Sequence, residues 1–395
     1  MKLLFTKRGY GPIGGSESLA YQFATRLAAR GHDVRVVCAW PSEKEEATYR
    51  GAAFEPVVYD DHRTFIDQGV EVVQVKPRGG LLGMAADATT LVDLMRGELL
   101  ERYAEDRDLI HNVGREYLDS SIDVAEELGI PLALTPLAHP GQFHGGDTAA
   151  DFIRYRRASV ITTMTDWERD WYAAHRIDPG HVVTTGMGPN ASASGDAADF
   201  RARHRIPANA PIVLYVGRKE RYKGYIQLLD STEQVWRSHP DARFVFMGLP
   251  GFYSTFFDDF QRYADDRVIH LENASAPDKE AALAACSLFA MPSRHETFGL
   301  GYLEAWLHGK PVIGGDIPAL REVIDDGVDG IVVRQRADAV ARAILRLLDD
   351  PTSAEAMGER GRAKVEARWN WDAVMDRVEA AHRIATGTEK ATTAA

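Results

Sequence analysis

Only two of the 395 residues are cysteine, Cys38 and Cys286. Two distant cysteines cannot form the disulfide framework of a small secreted scaffold, so they read as reduced core thiols of a cytoplasmic protein. Basic residues are the minority: 46 Lys and Arg stand against 58 Asp and Glu, a net charge of −12. Nucleic-acid binding leaves a basic footprint, as does general affinity for anionic lipid, so this balance argues against both. No segment reaches the roughly 20 unbroken apolar residues of a transmembrane helix. The apolar run in the opening MKLLFTKRGYGP is well short of the about 7–15 residues of an export-signal core, so no such signal is expected. The G-x-G-x-x-G dinucleotide fingerprint is missing, and no His/Cys cluster has metal-ligand spacing. Asp106-Arg107-Asp108 precedes its strand instead of following it, so it does not read as the Asp-x-Asp of a metal-dependent transferase.

The length suits two domains of roughly 150–200 residues. Hydrophobic residues (45%) and charged residues (26%) are in ordinary proportion for a globular chain. Residues 1–6 read as a buried strand, followed by the loop GYGPIGGSES. Leu19, Phe23, Leu27 and Ala28 then form a helical apolar stripe that Gly31 ends. VRVVCAW (34–40) is the next strand, and this βαβ order implies a parallel sheet with a right-handed crossover. Strands are expected at 71–75, 108–114, 131–137 and 159–164, with helices at 89–104 and 120–129. Thr165 and Glu168 have the spacing of a capping box and predict another helix start. RIPANAPIV (205–213), with two prolines and no periodicity, is the expected linker. A second series of strands follows at 212–217, 242–248, 267–271, 288–293, 311–316 and 331–334. The fold class is therefore α/β, two doubly wound Rossmann-like modules at 1–205 and 206–370. An amphipathic helix at 371–387 and a disordered tail at 388–395 complete the chain.

Ligands of such sheets bind beyond the C-terminal ends of the strands, and the informative motifs fall there. In RHETFGLGYLEAWLHGKPVIGGD, Glu296 follows a strand while Glu304, separated from it by seven residues, lies within a helix. Two carboxylates at different depths can accept hydrogen bonds from sugar hydroxyls and from a ribose diol. Between them Thr297, Phe298, Gly299 and Leu300 present backbone N–H groups at a helix start, a ready place for phosphate. In YVGRKERYKGY the strand ends at Gly217, and Arg218 and Lys223 follow as cations able to neutralise a diphosphate leaving group. Gly14 and Gly15 form a glycine-rich loop before the first helix, whose amides can approach phosphate. His139 follows the strand PLALT, with His144 nearby.

These segments resemble family 4 (group 1) glycosyltransferases of the GT-B fold. His295, Glu296, Phe298, Gly299, Leu300, Glu304, Ala305, Gly309 and Pro311 stand in the positions of that family's E-x7-E region. The resemblance implies two Rossmann-like domains facing a central cleft, the first reading the acceptor and the second a nucleotide diphosphate sugar, with the terminal helix packing back on the first domain. It also implies a metal-independent transfer of a hexosyl group from a UDP- or GDP-sugar, with retention of anomeric configuration and no cofactor. By the same resemblance Glu296 meets the donor sugar, Glu304 the ribose, and Arg218 and Lys223 the diphosphate. Gly217 and Gly248 lie under the nucleotide, and Glu272 and Asn273 flank its base. Gly14 and Gly15 approach the phosphates from the first domain, and His139 or His144 lies by the reacting sugar. The acceptor is not legible; the lack of a polybasic amphipathic helix in the first module favours a soluble one, with peripheral membrane association kept open. Two other readings fit the same fold: a nucleotide-sugar epimerase, or a non-catalytic nucleotide-sugar-binding protein.

Overall fold

A computed structural model describes residues 1–12, 14–41, 55–76, 97–142, 145–249, 263–272 and 274–389. The expected helix at 89–104 is described only over Gly97–Ala104. His144, Asn273 and the end of the tail (390–395) lie outside the described residues. The chain forms two compact units, Met1–Gly186 with Asp372–Ala395 and Met187–Trp371.

The first unit is built on a nine-stranded sheet. Its strands are β1 (Lys2–Thr6), β2 (Asp33–Ala39), β3 (Val57–Val58), β4 (His62–Asp67), β5 (Val70–Val75), β6 (Leu109–Val113), β7 (Leu132–Thr135), β8 (Val160–Thr163) and β9 (Val182–Thr184), in the order β3-β4-β5-β2-β1-β6-β7-β8-β9. From β5 to β9 every pairing is parallel, while β3 and β4 are antiparallel additions at one edge. Leu3, Leu4, Phe5, Val36, Val37, Ile110, Leu134 and Ile161 are buried, as expected of strands covered by helices on both faces. The strand order reverses between β1 and β6, so the switch point of this sheet lies beyond Thr6 and Val113.

The second unit has a six-stranded, wholly parallel sheet: β10 (Ile212–Val216), β11 (Arg243–Met247), β12 (Val268–Leu271), β13 (Leu288–Met291), β14 (Val312–Gly315) and β15 (Gly330–Val333), ordered β12-β11-β10-β13-β14-β15. Its switch point lies beyond β10 and β13. That is where the E-x7-E and Arg-Lys segments emerge.

The chain divides at Gly186/Met187 rather than at 205/206. The proline-rich segment read as a linker is a fixed turn of the second unit. Arg201 donates to the carbonyls of Pro207 (3.0 Å), Ala210 (2.9 Å) and Ala285 (3.0 Å). The helix Ala197–Arg203 is tied down by Arg203 to Asp278 at 2.7 Å. Just inside the second unit, an added Cβ on Gly188 would lie 2.7 Å from the Trp371 indole, whose Nε1 donates to Pro189 O at 2.9 Å.

The terminal helix runs Trp371–Ala385 and packs on the first unit. Arg30 reaches Asp376 (2.7 Å) and Glu379 (2.9 Å), and buried His382 meets buried His111 at 2.9 Å. Thr388 and Glu389, read as disordered tail, are ordered by backbone hydrogen bonds to Arg383 O (2.9 and 3.1 Å).

Strands β3, β4 and β9 were not expected. The β4 segment HRTFID is too polar to announce a strand, and its turn into β5 uses Gln68 and Gly69 (φ 48° and 81°) rather than an Asn-Gly pair. At the Thr165 cap, Glu168 N donates to Thr165 Oγ1 at 3.2 Å as predicted, but the Glu168 carboxylate accepts from Met164 N (2.9 Å), one residue earlier than a capping box requires.

Candidate functional site

Beyond β10 the backbone is forced close. Gly217 N donates to Met247 O at 2.9 Å, and Gly248 (φ 118°) sits against the Gly217 carbonyl with no room for a Cβ. The two glycines expected under a nucleotide are thus back to back. Arg218 is exposed and has no ion-pair partner among the described residues. Arg221–Lys223 form a short 3-10 turn, closed by Gly224 at φ 80°. This turn sends Lys223 inward, where its side chain is 18% exposed and Nζ lies 2.7 Å from Glu296 Oε1. Burial pulls the Lys223 ammonium down, but the Glu296 charge outweighs it and holds the pKa above its ordinary value.

Glu296 is 8% exposed and its Oε1 also accepts from Ser293 Oγ at 3.0 Å. The two residues assigned separately to sugar and diphosphate therefore form one part-buried ion pair. Such a pair offers a carboxylate edge to hydroxyls and an ammonium to a neighbouring anion, with each group fixed by the other.

From Glu296 the chain enters the helix Leu300–Leu307 through Gly299, at φ 88°. A Cβ there would run into the Tyr302 ring, so only glycine fits. The backbone N–H groups of Thr297, Phe298, Gly299 and Leu300 donate to no described residue. They lie at and just before the start of this helix, where N–H groups lack intrahelical acceptors. Phe298 is 1% exposed and packs edge-on against Trp369, which anchors the turn from behind. One helical turn on, Glu304 is 4% exposed, and its Oε1 lies 2.6 Å from Lys279 Nζ.

Three residues of this region escaped the sequence reading. Lys279 sits on the helix Ala276–Ala285, where a lone lysine in PDKEAALAA looks like solvated surface. Ser293 was read only as the end of a strand. Lys219, between the two cations singled out, is buried and donates to Gly248 O. Burial pulls its pKa down to about 7, opposed by Glu272. Glu272 is half-buried, and its Oε1 is enclosed without a hydrogen-bond partner among the described residues.

In the first unit, Gly14 (φ 101°) and Gly15 are exposed and precede the helix Ser16–Ala29, for which Gly15 is the N-cap. Ser18 Oγ donates to the carbonyls of Gly14 (2.5 Å) and Gly15 (2.9 Å). A Cβ on Gly14 would lie 2.7 Å from Glu17 Oε2, so this loop carries its own carboxylate over the helix start. His139 is half-buried after β7, with its N–H on Gly145 O (2.7 Å) and its carbonyl accepting from Gln142 N (3.1 Å). That carbonyl is thus engaged in a turn. Lys7 and Glu116 form a further pair at 2.8 Å where β1 and β6 end.

Comparison with known proteins agrees with this layout. Residues 14–188 match the "Glycosyl transferase 4-like domain" family and residues 196–364 the "Glycosyl transferases group 1" family. The chain is 26% identical over 398 residues to the glycogen synthase of Mycobacterium tuberculosis, covering 95% of this chain and 92% of that one. Among solved structures, sucrose-phosphate synthase of Thermosynechococcus elongatus superposes with a TM-score of 0.76 at 21% identity, covering 98% of this chain and all (100%) of that one. HepE of Anabaena in complex with UDP-glucose gives 0.76 at 19% identity, covering 96% and 98%. The two matched families divide the chain as its two sheets do, and the protein belongs to the group 1 glycosyltransferases of the GT-B fold, of the family 4 type.

Proposed function

We propose that this glycosyltransferase moves a hexosyl group from a UDP- or GDP-sugar to an acceptor, with retention of anomeric configuration and without a divalent metal. The observation that carries the reading is the grouping beyond β10 and β13: the Lys223–Glu296 pair, Arg218, and the free N–H groups of Thr297 to Leu300. A diphosphate gains negative charge as the glycosidic bond breaks. Arg218, Lys223 and the helix start supply positive charge and donors where that charge develops. Glu296 accepts hydrogen bonds from sugar hydroxyls, and Glu304, a turn deeper, accepts them from the ribose diol. Gly217 and Gly248 let the nucleotide approach the backbone. A UDP-sugar donor is further supported by the likeness to a protein solved with UDP-glucose. Retention rests on the family resemblance.

The test is turnover of UDP- and GDP-sugars in EDTA, with the anomeric configuration of the product read by NMR. Turnover that survives chelation and an α product from an α-linked donor are expected. Loss of turnover restored by Mg²⁺ or Mn²⁺ would refute metal independence, and a β product would refute retention. A free epimerised nucleotide sugar would establish the epimerase reading instead.

A further inference from the structure

Glu304 does not stand alone. Its carboxylate is almost fully buried, and a buried carboxylate needs a charged or hydrogen-bonding partner to be tolerated. Lys279 supplies one, at 2.6 Å, from a different helix. The lysine is itself held from a second side, because Nζ donates to Asn190 O at 3.2 Å. The same stretch of chain is fastened one residue further along that helix: Ser192 N reaches both oxygens of Glu280 at 3.2 Å, and Glu280 pairs with His308 at 3.1 Å. His308 caps the helix that carries Glu304. Lys279 is therefore a fixed ammonium, not a mobile surface lysine, and it holds Oε1 of Glu304.

From this geometry we propose that Lys279 is a positioning residue for the ribose contact: it aims the Glu304 carboxylate at the diol and offsets its charge beside a diphosphate. The inference rests on the reading in which Glu304 meets the ribose. Lys279 does not touch the donor in this account. Its effect passes through Glu304, so it should be visible only where the ribose hydroxyls and Glu304 are both present. It should also fall on donor affinity rather than on the chemical step, because the ribose contact is alike in the ground and transition states.

The test is a double-mutant cycle on the full chain. UDP and GDP, each beside its 2′-deoxy analogue, are titrated against wild type, Lys279→Met, Glu304→Gln and the double variant. Losing one charge-assisted contact corresponds to about a tenfold weakening of the ribonucleotide. Lys279→Met should show that loss, together with reduced preference for the ribose form over the deoxy form, and a raised donor KM with little change in kcat. In the Glu304→Gln background the same substitution should change affinity by less than about twofold. Melting temperatures are recorded alongside, and Lys279→Gln, which keeps a donor for Asn190 O, carries the same measurements if the methionine variant is poorly folded.

If Glu304→Gln weakens the ribonucleotide and neither Lys279 variant does, the inference is wrong and the ribose reading stands. Equal losses for ribose and deoxy forms, repeated in the Glu304→Gln background, would make Lys279 merely structural and overturn the inference. If Glu304→Gln itself changes nothing, or neither nucleotide binds wild type, the underlying reading fails and takes the inference with it.

Discussion

Replacing Lys223 with alanine separates the ion pair its ammonium makes from the role proposed for it at the donor. In the free protein it neutralises Glu296, which is 8% exposed and has Ser293 Oγ as its other side-chain partner at 3.0 Å. Removing one member of this largely buried pair strands the other charge, at a cost of up to about 3–5 kcal/mol. For a unit of this size, 1 kcal/mol corresponds to roughly 2–4 °C in Tm, so a fall of up to about 6–20 °C is expected. On the proposed reading, the ammonium also faces a diphosphate whose charge is greatest in the transition state. Losing one such contact corresponds to about 2–4 kcal/mol, or about 30- to 1,000-fold in turnover. The double variant Lys223→Ala/Glu296→Gln removes the stranded charge. It should recover most of the stability and none of the turnover. The assay is donor-sugar hydrolysis or transfer, run well below the melting point of each variant, beside thermal melts. Near-normal kcat in folded Lys223→Ala, or recovery of turnover with stability in the double variant, would refute the assignment of Lys223 to the diphosphate.

Three further outcomes follow from the coordinates. Glu296→Gln should lower kcat more than Glu304→Gln, which should act mainly on the donor KM; the reverse pattern would exchange the two roles. Gly299→Ala should cost about 1–3 kcal/mol and weaken nucleotide binding, since a side chain at φ 88° is strained and meets Tyr302; unchanged melting would contradict the strain. Burial pushes the His111 imidazole down to about 3 and His382 well below its ordinary value, so the folded protein binds fewer protons there than the unfolded chain. Stability should thus be full above about pH 6.5 and fall as pH drops toward 3, His111 alone accounting for about 2 kcal/mol by pH 5; urea unfolding that is flat from pH 7.5 to 5 would refute this.

Much of this was legible before any coordinates. Strands such as β1, β6 and β13 are continuous apolar runs, because helices cover both faces of a parallel sheet, and such runs declare themselves. The candidate site segments stood out because their chemistry is local: cations, carboxylates and glycines lie close together in sequence beyond the strand ends. What escaped was set by packing between distant segments. Lys279 and Glu304 are 25 positions apart, and nothing in either neighbourhood announces the other. The boundary was misplaced for a similar reason: prolines at 207 and 211 look like a linker until Arg201 is seen gathering the carbonyls around them. The short strand β9 and the polar hairpin strand β4 lacked any periodic signal.

The most direct test of the central claim is a thermal-shift titration of the full chain with UDP-, GDP- and ADP-sugars in EDTA, in wild type and Arg218→Ala. A ligand at a hundred times its Kd stabilises the fold by about 2.7 kcal/mol. The account predicts a saturable rise in Tm with a UDP- or GDP-sugar that needs no metal and is lost in Arg218→Ala. No shift with any of the three donors, or a shift that Arg218→Ala leaves intact, would contradict it.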